Sequence, residues 1–511
     1  MSGLGFWRLA VTTPDALAVV EPDGTRTTRG ELLARANATA RLLRGLGLER
    51  GDRVVGVVAN ESWALALVLA CQQIGAYYVP VNTALTTAEV GYIVEDAAPV
   101  AVFCSRAHAD TLRAAAFPAD RRFSFGPAEG FRDLTAEIAG LPAGPLEDRS
   151  PGSYLGYTSG TTGRPKGVLR KLPEGDPDDV FAAGAAWQLG MFGITPLDDG
   201  VHLVTSPLSH TAVSGLAVTS LHFGHAVVLM DHFEAERVLR LIEEHRVTTT
   251  HMVPTQLHRL LRLPGDVRAA HDVSSMRNLV HGAGPCPESV KREVIAWFGP
   301  VVWEYYGATE AAGTAITSAE WLDRPGSVGR PQPGAEVRVL DANGEQVPAG
   351  QTGRVFLRMG AHAFSYRGDD AKTRASRVGD FVTVGDLGHL DEDGYLYLLG
   401  RTAEVIVSGG VNIYPAEVEA ALLEHPDVQD AGVVGLPDPE WGQRACAVLQ
   451  VAPGSPLWTG DVAALLAPFL AERLARFKLP RRYQVVAELP RGANGKLRKH
   501  LLPDLVREGT P

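Results

Sequence analysis

Short apolar runs alternate with helix-like segments through the first half of the chain, and this alternation narrows the possible folds more than any other feature. Residues 53–59 read as a buried strand, 61–75 as an amphipathic helix and 77–81 as a strand, and Thr86-Thr87-Ala88-Glu89 is a capping box opening a further helix. The pattern resumes with a strand at 201–206, a helix at 234–245 and a strand at 247–253. Strand–helix alternation without hairpin signals predicts an α/β fold of layered subdomains with largely parallel sheets. From Pro333 the texture changes. Residues 336–340 and 353–357 alternate β-formers across Asp341-Ala342-Asn343-Gly344, whose Asn-Gly predicts a hairpin in a small β-rich subdomain. After Gly400-Arg401 a compact α+β pattern follows: helix 416–423, strands 428–435 and 445–451, helix 462–475 and strand 483–486. The expected division is therefore a large N-terminal domain, 1–400, and a small C-terminal domain, 401–511.

Composition excludes several classes. A net charge of -11 with no basic run disfavours nucleic acid as a partner. No basic start followed by an apolar stretch opens the chain, and the most apolar run, 63–71, is too short to span a membrane. Cys71, Cys104, Cys286 and Cys446 are scattered without metal-ligand spacing, as core thiols are in a reducing compartment, so the expected location is cytoplasmic.

The densest chemistry lies in Tyr157-Thr158-Ser159-Gly160-Thr161-Thr162-Gly163-Arg164-Pro165-Lys166-Gly167. Backbone N–H groups bare of side chains, with hydroxyls between them, form a concave donor surface for phosphate oxygens. Lys166 closes the run in a chain holding only seven lysines among 48 basic residues. Pro165 before that lysine and Gly167 after it depart from the common P-loop, and Pro165 predicts an extended, mobile exit. The acid-rich segment 171–179 that follows reads as a solvated loop.

Four more places carry chemistry. In Tyr305-Tyr306-Gly307-Ala308-Thr309-Glu310 a ring can stack on a base, Thr309 can donate to a phosphate, and Glu310 can hold Mg²⁺ with phosphate oxygens as co-ligands, although a buried aromatic turn explains the run better in isolation. Gly282, Ala283 and Gly284 suit a flat base lying on backbone. Asp386, beside Gly385, suits a ribose diol. Lys496 closes the glycine-rich run 491–496.

In order and spacing these motifs resemble the adenylate-forming superfamily of acyl-CoA synthetases, adenylation domains and luciferases, over nearly the whole chain. Thr13-Pro14-Asp15-Ala16, Gly51-Asp52-Arg53-Val54 and the run from Gly75 to Asn82 match the same family. The segments from His281, from Glu304 and from Ser408 look most similar to fatty-acid, bile-acid and steroid-side-chain CoA ligases. The resemblance implies ATP, Mg²⁺ and CoA as cofactors and a small carboxylic acid as substrate, and it admits a homodimer. It gives the loop from Thr158 to Lys166 the β- and γ-phosphates, Thr309 the α-phosphate, Glu310 the metal, Tyr306 the adenine, and Asp386 with Arg401 the ribose. Lys496, on a mobile C-terminal domain, would bridge the substrate carboxylate and the α-phosphate. Ser408, Gly409 and Gly410 would line a CoA tunnel, and Ala403 stands where the family hinge usually carries Asp or Lys. The acyl pocket is expected at Val213, Ser214, Gly215, Leu216, Ala311, Ala312 and Gly313, a small and mostly apolar set with no acid to meet an amino group, and at His210, which reads equally as a group that gates or orients the acid and as a packed structural histidine. An apolar or aromatic acid and transfer to CoA follow as the first reading. The second reading keeps adenylation and changes the acceptor to an amine or a carrier-protein thiol, or activates nitrite for diazotisation.

Overall fold

The computed structural model describes residues 3–115, 117–158, 165–359, 364–492 and 495–506. These fall into two units, one built from 1–252, 262–280 and 360–376, the other from 253–261, 281–359 and 377–511.

In the first unit the predicted parallel layers are present. Strands Arg132–Asp133, Arg122–Phe125, Ala101–Ser105, Arg53–Val57, Tyr77–Pro80 and Ser153–Tyr154 form one sheet in that order, every pair parallel. A second layer sets Leu17–Val20, Ala226–Leu229, Val201–Val204 and Thr249–Met252 side by side, again parallel. Helix Thr87–Ala97 starts at the Thr86/Glu89 capping box. Helix Ser62–Gln73 departs from expectation: all of it but Trp63 is buried, because a helix apolar on every side has no face to offer water.

Hairpins also occur where none was expected. Leu17–Val20 pairs antiparallel with Arg26–Thr28 through a turn at Asp23-Gly24, where Gly24 takes φ +87°. The chain after Pro165 leaves as strand Lys166–Arg170, hydrogen-bonded between Gly156–Thr158 and Phe364–Tyr366, and not as a loop. The acidic segment is likewise ordered: Asp176 caps helix Pro177–Gly190, and Asp178 is buried with Arg149 at 2.9 Å. An Asp cap followed by Pro at the first helical position is a helix start, and Pro/Gly content alone misread it as a loop.

In the second unit, Val302–Gly307, Ala312–Thr317, Ser327–Pro331, Leu396–Arg401, Asp386–Leu390 and Gly353–Met359 form an antiparallel array with Ala335–Leu340 on Gly353–Met359. The Asn343-Gly344 turn returns the chain only as far as Gln346, which bridges Leu340; residues up to 352 then loop out before the long pairing resumes. Beyond residue 401 a five-stranded sheet has Gly442–Val451 flanked by Val428–Asp438, Ile406–Ser408 and the parallel Arg482–Val486. Helices Pro415–Leu423 and Val462–Ala471 cover it, the second ending before the expected 475. The apolar cluster from Ile406 to Leu474 is confined to this segment.

Candidate active site

Lys496 lies between Arg491 and Leu497, which form an antiparallel bridge. Gly492 donates to the Lys496 carbonyl and Gly495 to the Gly492 carbonyl, both at 2.8 Å. Arg491 grips Asp430 through two nitrogens, at 2.5 and 2.6 Å, and donates to the Gly495 carbonyl at 2.7 Å. This bidentate pair fixes the loop base to strand Val428–Asp438. Gly495 has φ +73°, and a Cβ there would lie 2.5 Å from Thr255 Oγ1, so only glycine allows this approach. Lys499 lies 3.0 Å from Glu404 and 2.9 Å from Glu419, tying the segment just past Ala403 to the same base.

So held, Lys496 stands within electrostatic reach of Arg401, Asp386 and Glu310. Its side chain keeps solvent access, while protein crowded round the ammonium, and after it the Arg401 cation, lowers its pKa below the ordinary lysine value. Asp386 is buried at the start of strand Asp386–Leu390 and pairs in register with Arg401. One carboxylate oxygen of Asp386 accepts the Tyr306 hydroxyl at 2.6 Å and the other accepts Arg401 Nε at 3.2 Å. Burial, with Asp386 as the next cause, raises the Tyr306 pKa well above its usual value, so the phenol stays a donor. Thr309 is half-buried and Glu310 buried in the turn between Val302–Gly307 and Ala312–Thr317. Sequence-distant groups 306, 310, 386, 401 and 496 are thus brought together.

Other expected residues have different surroundings. A Cβ on Gly282 would meet the Tyr305 carbonyl at 2.7 Å and its ring at 2.8 Å, so the packing of Tyr305 already requires glycine there. Ala283, between Gly282 and the exposed Gly284, takes φ +65°, a conformation that non-glycine residues rarely adopt and that tends to mark working sites. A Cβ on Gly313 would likewise meet the Tyr306 carbonyl at 2.6 Å. Ala311 packs into the apolar cluster of Val337, Val355 and Leu396. In the first unit, His210 precedes helix Thr211–His222; Val213 and Leu216 are buried, Ser214 shares a 2.8 Å hydrogen bond with Tyr154, and Gly215 is half-buried. Lys166 lies 3.6 Å from Asp369. Ser159, Gly160, Thr161, Thr162 and Gly163 lie outside the described residues, as do the side chains of Thr158 and Ala312.

Two charged supports were missed in the sequence. Lys291 is buried, donates to Glu304, and has its ammonium 4.8 Å from the Trp321 ring, behind the strand that carries Tyr305 and Tyr306. Burial lowers its pKa, against the pull of Glu304. The scarcity of lysine was the only available signal for it. Asp430 gave none, since its partner lies 61 positions away.

Similarity to known proteins agrees with this geometry. The profile described as AMP-binding enzyme matches residues 6–366, and that of the AMP-binding enzyme C-terminal domain matches 417–496. The chain belongs to the AMP-binding enzyme family. Curated members similar to it include a feruloyl-CoA synthase of an Amycolatopsis species, 35% identical over 97% of this chain and 98% of that protein. A 2-succinylbenzoate–CoA ligase of Bacillus licheniformis is 34% identical over 96% and 98%. The fatty acid–[acyl-carrier-protein] ligase ScoC of Streptomyces coeruleorubidus is 31% identical over 96% and 93%. Among solved structures, the amide bond synthetase McbA of Marinactinospora thermotolerans superposes with a TM-score of 0.81 at 30% identity, covering 98% of this chain and 99% of that one.

Proposed function

We propose that this AMP-binding enzyme activates an apolar or aromatic carboxylic acid with ATP and transfers the acyl group to CoA. The observation that carries the reading is Lys496 within electrostatic reach of Glu310, Asp386 and Arg401. A substrate carboxylate oxygen attacks the α-phosphorus, pyrophosphate leaves, and the Lys496 ammonium offsets charge on the oxygens in flight. Tyr306 presents its ring to adenine, with its hydroxyl held by Asp386, and Asp386 and Arg401 receive the ribose. Lys166 and the loop from Thr158 receive the β- and γ-phosphates. Among the described residues no group of three or more metal-ligating side chains stands ready-made. The single buried Glu310 fits Mg²⁺ that arrives with triphosphate oxygens as its other ligands, a hard cation that screens phosphate charge.

In the second half-reaction the CoA thiol attacks the acyl carbon and AMP leaves, after residues 401–511 turn about Ala403 as a mobile small domain and bring Gly409 and Gly410 to the acceptor. The confinement of one apolar cluster to that segment supports the division at residue 400. His210, Val213, Ser214, Gly215, Ala311 and Gly313 are assigned to the acyl side. CoA is the preferred acceptor because feruloyl and 2-succinylbenzoate relatives carry CoA in their names, while ScoC and McbA keep a carrier protein or an amine as the second reading. No described helix is long and apolar enough to cross a membrane, in keeping with a cytoplasmic enzyme, which we propose to be a homodimer. Acid-dependent pyrophosphate exchange with fatty and aromatic acids, followed by CoA addition, tests the reading. Exchange without thioester formation would move the assignment to another acceptor, and no exchange with any acid would end it.

A further inference from the structure

The stem of the phosphate loop is braced from two sides. Lys166 pairs with Thr158 across the antiparallel strands, and Val168 pairs with Tyr366 on the other flank. The Tyr157 hydroxyl donates to Asp96 at 2.5 Å, the Tyr92 hydroxyl to the Pro165 carbonyl at 3.2 Å, and Arg367 Nε to the Asp96 carbonyl at 2.8 Å. Arg367 also donates its backbone N–H to the Gly167 carbonyl at 2.9 Å. Two residues later comes Asp369, whose two oxygens have separate tasks. Oδ1 accepts the Lys372 backbone N–H at 2.9 Å and caps helix Asp370–Ala375. Oδ2 lies 3.6 Å from Lys166 Nζ. A carboxylate immobilised by its cap can immobilise a lysine that otherwise has four rotatable bonds. The two side chains are 25% and 27% exposed, so water screens this pair less than one on the open surface.

We propose that Asp369 is a positioning residue for the phosphate-loop lysine: its capped carboxylate holds the Lys166 ammonium in place and leaves the remaining N–H donors for phosphate oxygens. The proposal rests on the reading of residues 158–166 as the triphosphate loop. Asp369 is charged for the work: the Lys372 N–H first, and Lys166 after it, lower its pKa. Ordering the lysine before nucleotide arrives removes a cost of binding that would otherwise fall on ATP. Because Lys166 then grips ground state and transition state alike, the gain belongs in the KM for ATP and not in kcat.

Asp369→Asn keeps a cap acceptor of the same shape and removes the charge, and Asp369→Ser is a second charge-free cap. In acid-dependent pyrophosphate exchange, both should raise the KM for ATP about fivefold, the scale of a partly screened ion pair, with kcat within about twofold of the parent. Thermal melting checks that each variant folds. In a Lys166→Met background the same substitutions should add nothing. The proposal is overturned if Lys166→Met raises the KM for ATP while the Asp369 variants leave it unchanged or lower it. An equal further rise in the Lys166→Met background also overturns it, since Asp369 would then act through some other group. A Lys166→Met enzyme with parental KM for ATP would instead remove the triphosphate-loop reading itself, and the failing arm identifies which of the two is wrong.

Discussion

At the residue scale, the role proposed for Lys496 depends on how its backbone is held. Gly495 lets the backbone approach Thr255, Arg491 anchors the loop to Asp430, and the ammonium comes within electrostatic reach of Glu310 and Asp386 with its pKa lowered, first by the crowding of protein around it and next by Arg401. Lys496→Ala should leave ATP binding nearly intact and cut adenylation by about two orders of magnitude or more, the scale of losing one preorganised charge-stabilising group. Near-parental pyrophosphate exchange would remove Lys496 from the mechanism. In the proposed mechanism the working form is the ammonium, which disappears as pH rises through its pKa. With that pKa below the ordinary 10.5, exchange should fall along its alkaline limb at a lower pH than an isolated lysine would dictate. A limb at or above the ordinary value contradicts the assignment.

At the scale of elements, the structure separates two neighbouring glycines that look alike in sequence. A Cβ on Gly409 would sit 2.5 Å from the Trp441 ring, whereas one on Gly410 meets nothing within 4 Å. Gly410 is therefore the cleaner probe of the proposed acceptor path, although its φ of +81° adds strain of about 1 kcal/mol for any side chain. Gly410→Leu should keep acid-dependent pyrophosphate exchange and lose acyl-CoA formation. Ala403 is exposed in the turn Thr402–Glu404, and proline fits the first turn of such a segment while fixing φ. Ala403→Pro should thus also spare exchange and slow thioester formation. Parallel loss of both half-reactions in the two variants would make the segment merely structural; full CoA transfer in both would place the acceptor elsewhere.

At the scale of the whole molecule, three buried histidines link folding to pH. Burial holds His202 and His222 at about 3 and His251 at about 4, against an ordinary 6.5. His222 is neutral by construction: its Nδ1 accepts the Phe6 N–H at 3.0 Å and its Nε2 faces the Gln72 side-chain oxygen at 3.1 Å. Below the ordinary value the unfolded chain takes up protons that the folded chain refuses, so stability is fully present above about pH 6.5 and is lost as pH falls toward the folded values. Each group contributes a slope of about 1.4 kcal/mol per pH unit. Near pH 5, His222→Gln should flatten the dependence of unfolding free energy on pH by about that amount, whatever it does to absolute stability. Identical slopes in denaturant titrations of mutant and parent would show that His222 takes no part.

Local pattern was legible wherever the physics is local. The Thr86/Glu89 capping box, the parallel alternation around residues 53–81 and the α+β texture after 401 all depend on neighbours within a few positions. The phosphate reading of the loop ending in Lys166 rests on its glycine and hydroxyl composition and remains part of the proposal. What folding alone decided are pairings between groups far apart in the chain. Asp178 with Arg149, Asp430 with Arg491, Asp369 with Lys166 and Tyr306 with Asp386 span 29 to 203 positions, and no periodicity encodes which carboxylate meets which donor. Gly282 makes the same point from packing. Its smallness suggested a ligand, and the tertiary structure gives the close approach of Tyr305 as a sufficient reason, because a Cβ excluded by protein leaves the same mark in sequence as one excluded by a nucleotide.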